Sequence, residues 1–420
     1  MTGERPLGLW MATALVIGSM IGSGVFLLPA TLAPYGAASL LGWGISLGGA
    51  LLLALTFARL AHKIPATGGP YVFARHAFGP LPGFIVAWSY WISIWCGLAA
   101  LSVAFAGSIG AIFPELTATP LRSAACALAA LWICVGANLA GTRKAGWVQL
   151  VTTLLKLLPL LLFGLVALAY VDVKDYQPFN PSGESLFTVT HACVAITLWA
   201  FLGLEVATVP AGAIDHADRT IPRATLLGTL IAGIATILAC TTVIGLLPGE
   251  QLVQSGAPMA DAASHLWGPA AGVGIAVVAA ISIFGALNGW VLVGAQLSMA
   301  AARDGLFPRV FASTDDNGTP RTGLLIVGVL STLLVMANFS RSLVQLFSFA
   351  MLLSTAATLL PYAFSSAAAL RKLRAGRIVA ALALMFSLYA LAGIGTESLI
   401  WGAVLVLAGL PIYFWEVRRR

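Results

Sequence analysis

The sequence predicts an all-α membrane protein of 12 transmembrane helices, folded as one domain over residues 1–420. Three observations lead there. Of the residues, 60% are hydrophobic and 9% are charged. A soluble domain is roughly half apolar and roughly a quarter charged. The apolar residues fall in runs of the ~20 needed to cross ~30 Å of hydrocarbon as a helix. Lys and Arg, finally, concentrate in alternate loops.

Drawn at that length, the spans run 8–31, 37–61, 81–112, 122–140, 146–170, 187–212, 223–248, 269–302, 322–338, 343–370, 376–394 and 398–416. The third and eighth are long enough to be strongly tilted. Loops are short and marked by Pro or Gly, as in Pro34-Tyr35-Gly36, Pro65 to Pro70 and Pro178 to Gly183. The first apolar run is too long for a signal peptide and many more follow it, so it reads as a retained span. With the N-terminus inside, 18 of the 22 Lys and Arg face the cytoplasm. Arg122, Lys174 and Arg341 fall outside, and Lys156 lies within a span. Both termini are then cytoplasmic. The net charge of +7 is a loop bias rather than a nucleic-acid footprint. Cys96, Cys126, Cys134, Cys193 and Cys240 lie in apolar runs without CxxC or metal spacing. Neither a disulfide framework nor a metal or organic cofactor is expected.

Within the first span, Val16 to Pro29 carries Gly22-Ser23-Gly24 at its centre. Each glycine costs about 1 kcal/mol of helix stability relative to Ala. An opened turn in lipid exposes amides that no water satisfies. Two readings stand: a break whose N–H groups take a solute carboxylate, or a small-residue packing face. The sixth span repeats the pattern, with Gly203, Val206 and Pro210 at the offsets of Gly22, Val25 and Pro29. Broken first and sixth helices are what a 5+5 inverted repeat requires. Its halves would be 8–170 and 187–370, followed by two additional helices in 376–416. Half-helix N-termini would face an anion and unwound carbonyls a cation, which suits a zwitterionic amino acid.

Ionisable residues at depth are functional candidates. Glu205 lies beside the second break, where it either serves function or ties helices together as a buried acid. Lys156 is too deep to snorkel; it either exchanges a proton or stands as a fixed cation in place of a structural metal ion. His191 and His265 fall near the outer interface and receive no role. Arg303-Asp304 reads as a solvated helix end. Trp199 and Trp290 fall near span centres, where an indole stacks on a substrate side chain or simply packs.

Five segments carry a family resemblance: GSGVFLLPA (Gly22 to Ala30), PATGGPYVFARHAFGP (Pro65 to Pro80), TLWAFLGLE (Thr197 to Glu205), GWVLVGAQ (Gly289 to Gln296) and ARDGLFP (Ala302 to Pro308). Together they resemble the amino acid–polyamine–organocation (APC) transporter superfamily, and within it the bacterial arginine/agmatine antiporters. The likeness runs from about residue 8 to residue 370. It implies the inverted-repeat fold of leucine transporters. It also implies that Ser23 and Gly24 bind the substrate carboxylate, and that carbonyls of Met20, Trp199 and Leu202 take the α-amino group. Trp290 would stack on the side chain and Trp199 would close over it. Ser93 and Ser354 would line the side-chain pocket. Tyr90, Glu205 and Tyr362 would form a middle gate, and Tyr71 a cytoplasmic one.

Three departures bear on the substrate. Leu98 and Ser19 stand where the antiporters have asparagines, and losing polar partners for a buried guanidinium is expensive. Lys156 resembles a lysine of sodium-independent, often proton-coupled relatives. The expected function is therefore alternating-access transport of amino acids, favouring neutral or apolar ones, with Glu205 and Lys156 as proton-coupling candidates. The alternative is a cationic amino-acid or polyamine exchanger of the arginine/agmatine kind. A membrane-embedded enzyme would need a nucleophile–base or metal-ligand set at depth, and a channel would need charge rings; neither is evident. The partners expected are a small amino acid or amine and the lipid bilayer, with no nucleic acid. Relatives include dimers and monomers, so a homodimer stays open.

Overall fold

The computed structural model describes residues 8–64, 68–140, 145–208, 214–315 and 318–418, and the regular elements among them are helices. In chain order these are α1 (Leu9–Met20), α2 (Ser23–Leu32), α3 (Ser39–Lys63), α4 (Pro70–Phe78), α5 (Pro80–Ile112), α6 (Pro120–Leu139), α7 (Ala145–Leu168) and α8 (Leu186–Thr197). There follow α9 (Ala217–Leu246), α10 (Gly249–Leu252), α11 (Pro258–Trp267), α12 (Pro269–Arg303), α13 (Arg321–Ala337), α14 (Leu343–Lys372), α15 (Arg377–Ala392) and α16 (Thr396–Arg418). Seven helical stretches among the described residues are long and apolar enough to cross a membrane. One of them, Leu9–Lys63, covers 55 residues and contains the first break. Four shorter apolar helices stand beside them.

Helix α5 is the central column. It packs on α12 and α14 and also touches α4, α6, α13 and α16. Small residues permit the closest approaches in the bundle, as expected where lipid removes the hydrophobic drive between helices. A methyl group on Gly42 of α3 would sit 2.4 Å from Cβ of Cys193 on α8, and one on Gly228 of α9 would sit 2.6 Å from Val16 on α1. The long helices α5 and α12 begin alike. Each follows a short helix through a glycine at positive φ and a proline in the first turn: Gly79 (φ 98) before Pro80, and Gly268 (φ 89) before Pro269. Glycine adopts that conformation without steric cost, and proline at the first helical position forfeits no hydrogen bond.

Two drawn spans change on inspection. The first breaks at Ile21 and Gly22, just ahead of the Gly22–Gly24 centre, because Ile21 already leaves the helix (φ −80, ψ 92). The sixth does not continue as one helix to residue 212. Helix α8 stops at Thr197, a tight turn covers Leu198–Phe201, Leu202 is extended, and Gly203 sits at φ 102. Pro210 of the offset pattern, Pro65 to Thr67 of the second motif, and the basic residues Arg5, Arg143, Lys144, Arg419 and Arg420 lie outside the described residues.

Candidate functional site

The two breaks lie against each other. A Cβ on Gly203 would stand 3.0 Å from Cβ of Ser19 and 3.2 Å from the Trp290 ring. The Trp290 indole N–H donates to the Ser19 carbonyl at 3.3 Å, joining α12 to the end of α1. Between these elements lies a cavity of about 50 Å³. Its walls include Ser19, Met20, Gly22, Tyr90, Ser93, Gly97, Leu101, Trp199, Leu202, Glu205, Trp290, Ser354 and Thr358. At about 10–15 Å³ per water it holds a few waters, so a larger solute must move part of the wall. Trp199 closes one side: a methyl on Gly97 would sit 3.2 Å from its ring and 3.3 Å from the Ser354 hydroxyl.

Of the residues expected at the site, Met20, Tyr90, Ser93, Trp199, Leu202, Glu205, Trp290 and Ser354 are gathered around this cavity. Ser23 and Gly24 open α2 by their backbone, but their surroundings lie outside the described residues. The first amides of a helix lack intrahelical partners, which is the property an anion site uses. Two of the three carbonyls assigned to the amino group already accept a backbone N–H, Met20 from Gly22 at 3.0 Å and Trp199 from Leu202 at 3.2 Å. A carbonyl has a second lone pair for a ligand. Leu98 is different. It is 0% exposed, packs among core residues and is not among the residues lining this cavity. The neighbouring wall positions on α5 are Gly97 and Leu101.

Glu205 is fully buried at the edge of the cavity. Both carboxylate oxygens are occupied: the Tyr90 hydroxyl donates to Oε1 at 2.5 Å and the Tyr362 hydroxyl to Oε2 at 2.6 Å. These short bonds join α5, α14 and the second break into one clasp. Tyr362 completes the clasp from behind and does not line the cavity. Lys156 lies elsewhere. It is 4% exposed, and its ammonium donates at 3.5 Å to the carbonyl of Gly18, near the C-terminal end of α1. A cation there meets the negative end of the helix dipole. Gly285 of α12 leaves it room, since a Cβ there would come within 3.4 Å of Lys156 Cε.

The two ends of the bundle differ. At the α4 end, the Tyr71 hydroxyl donates to Asp304 Oδ2 at 3.2 Å and Arg75 Nη1 lies 3.1 Å from the same oxygen. Burial first, and then the adjacent Asp304 carboxylate, hold the Tyr71 phenol well above its ordinary pKa, so it remains a donor. Asp304 is the solvated helix end expected from the sequence, and it is also the acceptor that ties α4 to the end of α12. Lys63 donates to the carbonyl of Lys372 and Arg59 to that of Gly376 at 3.4 Å, binding α3 to the α14–α15 turn. At the other end a recess of about 1210 Å³ opens among Thr31, Ala106, Gln254, Gln345, Glu397 and their neighbours. Arg341 crosses it to Glu397 at 2.5 Å. Asp304 and Thr358 are the residues that the sequence reading missed. Thr358 had a signal, since it falls midway between Ser354 and Tyr362 on one helix face at a spacing of four.

Glycine-broken helices around a small cavity with a clasped carboxylate call for comparison with known proteins. The amino acid permease family model matches residues 7–413. The chain belongs to this family. The permease is 34% identical over 341 residues to a cadaverine/lysine antiporter of Escherichia coli (strain K12), covering 80% of this chain and 75% of that protein. It is 28% identical over 421 residues to a putrescine transporter of the same organism, covering 98% of this chain and 96% of that protein. To a putative arginine/ornithine antiporter of Bacillus subtilis (strain 168) it is 31% identical over 460 residues, covering 98% and 97%. The permease is thus a transporter of the APC superfamily and not an enzyme, a multi-pass bacterial membrane protein whose substrates are small amino acids or amines.

These findings do not support the expected preference for neutral or apolar amino acids and fit the cationic alternative better. The named substrates of all three relatives are cationic. The physical reason is visible in the cavity. The preference rested on Leu98, Ser19 and Lys156; of these Ser19 alone lines the cavity, while among the described residues the one charged side chain on its wall is the acid Glu205.

Proposed function

We propose that the permease exchanges cationic amino acids and diamines across the membrane by alternating access. One observation carries this reading: the buried carboxylate of Glu205 on the cavity wall, with no basic side chain beside it among the described lining residues. A buried carboxylate is stabilised by a cation and destabilised by an apolar side chain in its place. The substrate carboxylate, when present, is assigned to the N-terminal amides of α2, and the α-amino group to the carbonyls of Met20, Trp199 and Leu202. Trp290 stacks on the chain and Trp199 folds over it. Tyr71 with Asp304 closes one end, and Tyr90, Tyr362 and Glu205 close the middle.

The same reading takes the fold as 12 transmembrane helices, a 5+5 inverted repeat plus two, with both termini cytoplasmic. The paired starts of α5 and α12 support it. These are the third and eighth spans of the drawn order, five apart, and each begins with a short helix, a positive-φ glycine and a proline. Lys156 acts in this scheme as a cation fixed at the end of α1, with proton exchange as the second reading of the same contact.

Counterflow in proteoliposomes tests the proposal. Vesicles loaded with cadaverine, putrescine or agmatine should take up labelled lysine, ornithine or arginine. Loading with leucine or methionine should not drive that uptake. The reverse pattern would restore the neutral-substrate reading.

A further inference from the structure

The cavity wall has an unusual hydrogen-bond polarity. Five hydroxyls line it, on Ser19, Tyr90, Ser93, Ser354 and Thr358. Every one already donates its proton. Ser19 donates to the Leu15 carbonyl at 2.7 Å, Ser93 to that of Tyr90 at 2.7 Å, and Thr358 to that of Ser354 at 3.0 Å. Ser354 reaches across to α5 and donates to the Ser93 carbonyl at 2.6 Å. Tyr90 donates to Glu205. A carbonyl only accepts, so the four directions onto backbone oxygens follow from chemistry and not from where a hydrogen was placed, and an ionised Glu205 fixes the fifth. A hydroxyl that has spent its single proton presents lone pairs to whatever stands beside it. The Trp290 N–H is also spent, on Ser19.

We infer that the wall formed by Ser93, Ser354 and Thr358 selects the substrate's end group by donor count, and that Thr358 is a specificity-determining residue. The inference rests on the proposed transport of cations and adds what the wall reads. A primary ammonium brings three donors and no acceptor, matching a wall of acceptors. A thioether or alkyl end of equal length leaves those lone pairs unpaired once the cavity water is displaced. A carboxamide brings an oxygen with no donor to meet it. Thr358 stands one turn from Ser354 and one turn from Tyr362, so its oxygen lies between the serine wall and the Glu205 clasp. An ammonium at that level meets hydroxyl lone pairs on one side and carboxylate charge on the other. Helical Thr residues also donate to their own preceding turn for purely structural reasons. That role would not distinguish one ligand from another.

The test is competition for labelled lysine counterflow by lysine, cadaverine and norleucine in wild type, Thr358→Val and Thr358→Ser. Valine keeps the shape and removes the oxygen. Removing an acceptor for a charged donor should weaken lysine and cadaverine about tenfold or more, leave norleucine within about twofold, and be undone by serine. A valine variant that shifts all three ligands alike, or none, overturns the inference. Should Thr358→Val fail to accumulate, Ser93→Ala carries the same expectation and the same refutation. Wild type that counterflows no amine would instead sink the cation-exchange proposal itself, before any variant is compared.

Discussion

At the residue scale, the chemistry concentrates in Glu205, Gly203 and Lys156. Glu205→Gln keeps an acceptor for one tyrosine but removes the charge. Affinity for lysine and cadaverine should fall about tenfold or more, since hydrogen bonds to charged groups contribute about 1.5–3 kcal/mol. Competition binding reads this directly, and unchanged affinity would remove the carboxylate from recognition. Gly203 sits at φ 102 with its Cα against Ser19 and Trp290. Gly203→Ala should cost about 1–2 kcal/mol from the left-handed backbone alone, with further displacement of the two neighbours. A lower melting temperature and lost transport are expected; wild-type behaviour would mean that the second break relaxes freely. Lys156→Ala should alter the pH profile of transport more than it alters melting. An unchanged profile in folded protein leaves the fixed-cation role alone standing. The sequence singled out all three positions, because glycines and charges inside apolar runs violate the pattern around them. It did not tell whether Leu98 faces the cavity, because residue identity does not say which way a helix residue points.

At the element scale, α4 is a short helix pinned to the end of α12 by Tyr71, Arg75 and Asp304, and the proposed closure at that end depends on this tie. Arg75 and Asp304 are each about 40% exposed, with side-chain values of 42% and 40%. Such a pair contributes roughly 0–1 kcal/mol. The buried Tyr71 hydroxyl adds a hydrogen bond of about 1 kcal/mol. Asp304→Asn should therefore shift the closed–open balance several-fold without unfolding the bundle. Hydrogen exchange over Pro70–Phe78 should speed up in that variant, while exchange in α5 stays unchanged. No change in α4 would mean that packing alone holds it. Most helix boundaries were legible in advance, since apolar run length and Pro or Gly punctuation are local properties. The end of α8 at Thr197 was less so. Its cause is a run of non-helical residues, and extended Leu202 has no sequence mark of its own.

At the scale of the whole molecule, the α4 end is tied by Tyr71, Arg75 and Asp304 while a recess of about 1210 Å³ lies at the opposite end, and the proposed alternating-access cycle would exchange these two arrangements. To turn around, the permease must carry the Glu205 site through closure. Empty, that site is a buried carboxylate without a cation; loaded, the substrate charge offsets it. Exchange should then outrun net efflux about tenfold or more, as the loaded transporter alone crosses readily. Efflux of labelled lysine with and without external cadaverine measures this. Equal rates would mean that the empty site returns unhindered and that the carboxylate is neutralised some other way.

By itself the sequence determined the membrane setting, the helical class, the break positions to within a residue or so, and the buried charges. Each of these follows from composition or from a departure within a short window. Tertiary structure decided the rest: that Leu98 lies off the cavity wall, that Asp304 accepts from α4, that the Ser354 hydroxyl reaches across to α5, and that Tyr90 and Tyr362 converge on Glu205. Those facts depend on which helices meet and at what rotation. Packing of the bundle sets that rotation, and no single span encodes it.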